Sequence, residues 1–377
     1  MNILMVTHHY LYGNGGGVYA SRAYINAFAE IADRMTLLYP MKEGMDIEGI
    51  LDKVVAIPIY HKKHIYKKAL DFLCGRVHRF FDSFEYYLGK SHYDYVVFDN
   101  SKVSYRLIDI AHNYRCKVIT IHHNYEYEYN RDNLSGITKL LTLFWIKRLE
   151  KESIQKSDLN FTLTVQDRQL LADAYNAGNT RNIEVLGCFE YKRRAPIIVK
   201  NKDREYQFII TGSLGDVQTE LSLLPWLEEY FPILKKYIPE SKLVVAGRNP
   251  SIRVMEKCKE LDVTLYASPT DMQPLLDAAD FYICPTSLGG GLKLRVMDGL
   301  KNGLPVIAHE ISARGYDSFI ENGCLLTYRD RRSFEECLKH IQCEKYNRHK
   351  IQTLYNTIFT FDAGVLRLKE LLYNQFI

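Results

Sequence analysis

The stretch Pro285-Thr286-Ser287-Leu288-Gly289-Gly290-Gly291-Leu292-Lys293-Leu294-Arg295-Val296-Met297-Asp298 gathers three glycines, two cations and a carboxylate. It follows the apolar run Phe281-Tyr282-Ile283, read as a strand, and Leu292, Val296 and Leu300 recur at helical spacing. Gly290 and Gly291 therefore stand just before a helix N-terminus, where unpaired N–H groups and the positive end of the macrodipole attract an anion. That dipole opposes cations in a first turn by about 0.3–1 kcal/mol each. Lys293 and Arg295 in that turn point to a bound anion that compensates, and phosphate is the anion this geometry suits. The plainer alternative is a solvated charged helix beside a flexible loop.

A second group lies in the first half of the chain. Gly15-Gly16-Gly17 separates the apolar run at residues 3–7 from Ala20, Ala23, Tyr24, Ala27 and Phe28, spaced as a helix face. Gly16 and Gly17 offer unencumbered N–H groups to an anion or a hydroxyl, although a glycine turn is equally a structural device. In Ile119-Thr120-Ile121-His122-His123-Asn124-Tyr125-Glu126, polar groups follow a strand. The carboxyl end of a parallel strand is where α/β sheets bind ligands, and His123 stands there. Its alternative is a histidine satisfied at a strand end.

The elements that must position these groups read as α/β throughout. Short apolar runs at 3–7, 37–39, 54–57, 95–98 and 118–121 alternate with helix-length segments, the pattern of a parallel sheet covered on both faces. The pattern restarts at 208–210, 243–245, 263–266, 281–283 and 306–308, with one long helix expected from Leu221 to Ile238. The sequence thus predicts a domain over 1–190, a charged linker over 191–206, a second domain over 207–349, and a helical segment over 350–377 free to pack on either domain, crossing back to the first included. At 377 residues two cores are expected. A net charge of +4 does not mark a nucleic-acid binder. The eight cysteines lack a CxxC pair and fit buried thiols, and no apolar stretch reaches the ~20 residues of a membrane span, so a cytoplasmic protein is expected.

Gly303-Leu304-Pro305-Val306-Ile307-Ala308 and the block before it resemble the retaining glycosyltransferases of family 4, which have the GT-B fold: two facing Rossmann-like domains with parallel sheets and an interdomain cleft. The resemblance extends over nearly the whole chain. Many members carry two glutamates eight residues apart here; Asp298 falls on the second, which meets the donor ribose, and Gly290 on the first. A sub-group with G-x-G-x-[KR]-x-K is more similar, and there Lys293 and Arg295 would face the diphosphate, with Gly291 and Leu292 beside them. Phe208-Ile209-Ile210-Thr211-Gly212-Ser213 and Leu243-Val244-Val245-Ala246-Gly247-Arg248 resemble the opening of the C-terminal domain, which brings Gly212, Ser213 and Arg248 to the donor. The Arg and Lys usual after the first strand are replaced near Ser213 and Thr219 or Glu220. Tyr266-Ala267-Ser268-Pro269 resembles the segment whose backbone meets the base. His123 and Glu126 match the H-N-x-E segment that touches the transferred sugar, and Gly16 and Gly17 match the loop against the donor phosphate.

The resemblance implies transfer of a sugar from a UDP-, GDP- or TDP-linked donor to a glycan or lipid-linked acceptor in surface polysaccharide or lipopolysaccharide assembly, with retention and without nucleic acid. Fixed cations and a helix N-terminus can stabilise a departing diphosphate, and no DxD-like pair lies beside the glycine block, so neither a metal nor another cofactor is expected. Basic residues over 61–68 and an apolar stripe to residue 81 could rest on an anionic inner leaflet or form an ordinary surface helix. Alternatives are a non-catalytic partner subunit of the same fold and a nucleotide-sugar epimerase or phosphorylase. An oxidoreductase is disfavoured because the first glycine loop lacks the dinucleotide fingerprint.

Overall fold

The computed structural model describes residues 1–13, 15–60, 65–73, 78–134, 136–199, 205–289 and 291–376. The chain forms two compact units, one of Met1–Arg194 with Phe359–Ile377, the other of Ala195–Ile358.

The first unit holds seven parallel strands: β1 (Asn2–Thr7), β2 (Arg34–Met41), β3 (Val54–Tyr60), β4 (Tyr95–Asp99), β5 (Lys117–His122), β6 (Leu159–Thr162) and β7 (Ile183–Val185). Their order is β3-β2-β1-β4-β5-β6-β7, so the winding reverses between β1 and β4. The apolar runs mark the first five; β6 and β7 were not anticipated. Leu159-Asn160-Phe161-Thr162 interleaves polar with apolar residues, and Ile183–Val185 is only three residues long, so neither shows a continuous apolar run. Asn160 is nevertheless fully buried, because its side chain bonds His122.

The helix Gly16–Ile31 has an unbroken buried stretch from Ala20 to Ala29. Its small residues let it sit between the sheet and the terminal helix Phe361–Phe376. Gly364 is required in that terminal helix, since a Cβ there would lie 2.2 Å from Phe189 Cγ. Arg367 Nε donates to Leu186 O at 2.6 Å.

The second unit has six parallel strands: β8 (Gln207–Ser213), β9 (Lys242–Arg248), β10 (Thr264–Ala267), β11 (Phe281–Cys284), β12 (Val306–His309) and β13 (Leu325–Tyr328), ordered β10-β9-β8-β11-β12-β13. The reversal falls between β8 and β11. Strand β13 is a sixth where five were expected. The long helix expected from Leu221 to Ile238 is two, Val217–Glu229 and Phe231–Tyr237, because Pro232 lacks an N–H to continue the first and suits the opening turn of the second. Trp226, Leu227, Leu234 and Phe334 close the core over Phe208 and Ile210. The helix Arg331–Cys343 begins in a capping box in which Asp330 and Ser333 satisfy each other's backbone N–H.

Candidate functional site

In the second unit the glycine block runs from β11 to the helix Leu294–Lys301, with Lys293 at its N-cap. The helix therefore starts later than the spacing of Leu292 suggests; Leu292 is half-buried in the loop, while Val296, Met297 and Leu300 form the buried face. Gly289 and Gly291 have φ of 81° and 66°, a left-handed backbone that favours glycine. Gly290 lies outside the described residues.

Lys293 and Arg295 sit at the carboxyl edge of the sheet, beside the reversal point. Arg295 donates to Thr219 Oγ1 at 2.6 Å. A Cβ on Gly212 would come within 2.6 Å of the Arg295 guanidinium carbon, so the bare backbone at the end of β8 makes room for that cation. The register partner of Gly212 on β9 is Gly247, where a Cβ would lie 1.8 Å from Gly212 O, so β9 must also carry glycine there. Burial pushes the Lys293 ammonium down to about 8, and the charges of Arg295 and Arg314 push it the same way. Its carbonyl accepts from Tyr316 Oη at 2.8 Å, which pins the helix start.

Arg314 is a third cation of this group that the sequence reading missed. It stands in the turn after β12, outside the glycine block, and no spacing links it to Lys293. Arg248 is exposed and reaches Ser213 Oγ at 3.4 Å. Ser268 has a left-handed φ of 50°, donates its N–H to Gly247 O at 2.7 Å and accepts from Asn249 N. Asp298 pairs with Lys301 Nζ at 2.5 Å on the half-exposed side of the helix. A groove of about 390 Å³ lies elsewhere, between Leu221, Leu224, Arg253 and Lys257, and none of the glycine-block residues lines it.

In the first unit the strand ends around the β1/β4 reversal bring together His123, Asp99, Thr7 and His9. His123 Nε2 lies 2.5 Å from Asp99 Oδ1, and Thr7 Oγ1 donates to Asp99 Oδ2. Burial opposes ionisation of Asp99, yet the charge and hydrogen bond of His123 hold its carboxyl at about 2. Gly16 opens the helix Gly16–Ile31. Gly17 serves packing: a Cβ would lie 2.5 Å from His9 Cε1. The His9 ring in turn packs 5.3 Å from that of His123. His122 points to Asn160 at 3.1 Å, and burial lowers it to about 4, so it is a neutral histidine tied to β6.

Glu126 is buried and fully engaged. Lys102 Nζ reaches it at 2.8 Å, Asn100 Nδ2 at 3.0 Å and Asn130 Nδ2 at 3.0 Å. Burial opposes its charge, but Lys102 and Asn100 hold it at about 2. Asn100 adopts a φ of 93°, rare for a side-chain-bearing residue, at the turn that delivers Lys102. Beneath, Glu150 accepts from Glu126 N at 2.6 Å, Tyr127 N at 3.3 Å and Tyr175 Oη at 2.9 Å. It thereby caps the helix Glu126–Asn133, and burial pushes it up to about 8. Asp99, Lys102 and Glu150 were missed by sequence reasoning. Only Asp99 carried a signal, as the polar residue ending the apolar run Tyr95–Phe98 on a parallel strand.

Among the described residues no cluster of three or more His, Cys, Asp or Glu is placed to hold a metal, and no helix is long and apolar enough to cross a membrane. Of the proposed membrane face, 61–64 and 74–77 lie outside the described residues, while the helix Ile65–Leu73 exposes Tyr66, Leu70 and Leu73.

Residues 205–342 match the family model of group 1 glycosyl transferases. The chain is similar over its full length to the apo lipopolysaccharide outer core galactosyltransferase WaaB, at 11% identity, TM-score 0.68 and 100% coverage of both chains. Two sheets of reversed parallel order and that full-length likeness decide the architecture. The fold is GT-B. Sucrose-phosphate synthase from Thermosynechococcus elongatus is similar at 14% identity and TM-score 0.70, covering 100% of this chain and 99% of that one. Anabaena Alr3699/HepE, solved with UDP-glucose, is similar at 12% identity and TM-score 0.64, covering 99% and 100%. No curated protein sequence matches the chain.

Proposed function

We propose that this GT-B protein transfers a sugar from a nucleoside-diphosphate sugar to a glycan or lipid-linked acceptor in surface-glycan assembly. The observation that carries the reading is the set of cations Lys293, Arg295 and Arg314 gathered at a glycine loop and helix N-terminus beside the strand reversal. The family match of this unit supports glycosyl transfer, and a neighbour solved with UDP-glucose supports a nucleotide-sugar donor.

In this reading the diphosphate lies on the loop, with Arg295 held by Thr219 and Lys293 held at the helix start by Tyr316. As the anomeric C–O bond breaks, its electron pair goes to the diphosphate, where fixed cations stabilise the growing charge. An acceptor hydroxyl attacks on the same face and its proton passes to the departing diphosphate, which gives retention. Side-chain cations supply the charge that a metal supplies elsewhere. Asp298 reaches the ribose by releasing Lys301, and Gly291 and Leu292 carry the loop backbone past the phosphates.

Calorimetric titration with UDP, GDP, TDP and their common sugar conjugates, with and without chelator, tests the reading. Saturable binding of one nucleotide, weakened in Arg295→Ala and indifferent to chelator, is expected. No binding across the panel sinks it in favour of a non-catalytic subunit.

A further inference from the structure

The turn after β1 and the end of β2 carry a cationic group that the proposed donor chemistry does not use. Tyr10 lies in that turn, Lys42 directly follows β2, and Arg79 stands ahead of the helix Phe84–Leu88, all within the first unit. Because β1 and β2 are parallel neighbours, Tyr10 and Lys42 belong to the carboxyl edge of the sheet, where α/β proteins bind ligands. Arg79 Nη1 donates to Tyr10 Oη at 2.8 Å, and the guanidinium carbon lies 4.8 Å from the centre of the Tyr10 ring. Lys42 Nζ lies 5.0 Å from the same centre. The ring attracts both cations, which otherwise repel each other. Among the described residues no carboxylate pairs with either, and Glu48 is committed to Arg22 at 3.3 Å. Tyr10 Oη accepts from Arg79, while its own hydrogen meets no acceptor among the described residues. The turn is fixed, since Leu11 is buried and its carbonyl accepts from Arg22 Nη2 at 3.1 Å and from Glu48 N at 3.0 Å. A guanidinium, an ammonium and a phenol that can only donate thus converge on one place, and what completes such a set is an anionic oxygen group.

We propose that Tyr10, Lys42 and Arg79 form an anion subsite of the first unit that holds a phosphate or diphosphate group of the acceptor; the acceptor assignment rests on the glycosyl-transfer reading. A phosphate suits the set better than a carboxylate, because its terminal oxygens can meet three donors that come from separate chain segments, and a guanidinium binds it through its planar fork. The Tyr12 ring, 5.9 Å from that of Tyr10, extends the aromatic wall beside the anion.

The test is calorimetric titration of the full chain carrying Lys293→Ala and Arg295→Ala, which removes the proposed donor cations. The probes are methyl diphosphate, farnesyl diphosphate, glucose 1-phosphate and glucuronate. Saturable binding of a phosphate probe is expected, weakened about 10-fold by Arg79→Gln and about 3-fold by Lys42→Gln. Tyr10→Phe, which keeps the ring and removes the donor, should weaken it as well. Lys42 is exposed, so its variant keeps the test open if Arg79→Gln unfolds. Tighter binding of farnesyl than of methyl diphosphate supports the proposal with a lipid-linked acceptor as the source, and tighter binding of glucose 1-phosphate supports it with a phosphorylated glycan. No binding of any phosphate probe, or binding indifferent to all three substitutions, overturns the proposal. Glucuronate bound as tightly through the same residues overturns the phosphate assignment. A phosphate held through Arg79 in a protein whose unsubstituted form binds no nucleotide sugar keeps the subsite and overturns the acceptor assignment.

Discussion

If Lys293 holds the donor as proposed, nucleotide-sugar binding depends on pH in a calculable way. Burial and two neighbouring cations lower its ammonium from 10.5 to about 8, so at pH 7 about ten-elevenths of the free protein carries the charge and at pH 9 about one-eleventh. If the diphosphate binds the charged form, affinity for a nucleotide sugar falls by about 10-fold between these pH values, or ~1.4 kcal/mol. Lys293→Arg keeps the charge throughout and should bind with a flat profile over the same range, which also subtracts any titration of the base. Lys293→Ala loses one charge-assisted contact, ~1.5–3 kcal/mol, or about 10- to 150-fold in affinity at pH 7. Calorimetry from pH 7 to 9 on the three proteins is the assay. Equal pH slopes for wild type and Lys293→Arg would refute the argument, because the titrating group would then lie elsewhere. The sign for folding is opposite: with the folded value below the unfolded one, the unfolded chain holds more protons between about 8 and 10.5, and stability of the free protein rises with pH there.

Two further outcomes follow from packing and burial. Glu150, raised to about 8 from 4.5, stays protonated in the folded protein where the unfolded chain ionises, so it draws stability down as pH rises between those values; Glu150→Gln should flatten that slope in urea melts, and an unchanged slope would assign the titration to another group. Gly247→Ala forces a Cβ to 1.8 Å from the Gly212 carbonyl oxygen, which backbone must move to relieve; a loss of about 1–3 kcal/mol is expected, read as a lower midpoint in thermal unfolding, and an unshifted midpoint would mean that the two strand ends separate freely.

The strongest elements of the fold were legible because parallel strands buried on both faces read as continuous apolar runs, as Ile3–Val6 and Val96–Phe98 do. Short or interrupted strands such as β6 and β7 have no such signature, and only pairing with a formed neighbour makes them strands. The glycine–cation block was likewise local: loop, helix start, Lys293 and Arg295 are contiguous, so their chemistry follows from spacing alone. Arg314, Asp99, Lys102 and Glu150 belong to separate strands, turns and helices. Their partnerships with Lys293, His123 and Glu126 arise only when the sheets bring the strand ends together; those partners then hold Asp99 and Glu126 ionised against their burial, while burial itself raises Glu150 and lowers Lys293. Gly17 shows the same division. Its lack of a side chain was visible in the sequence, but that the space belongs to the His9 ring was decided by tertiary packing.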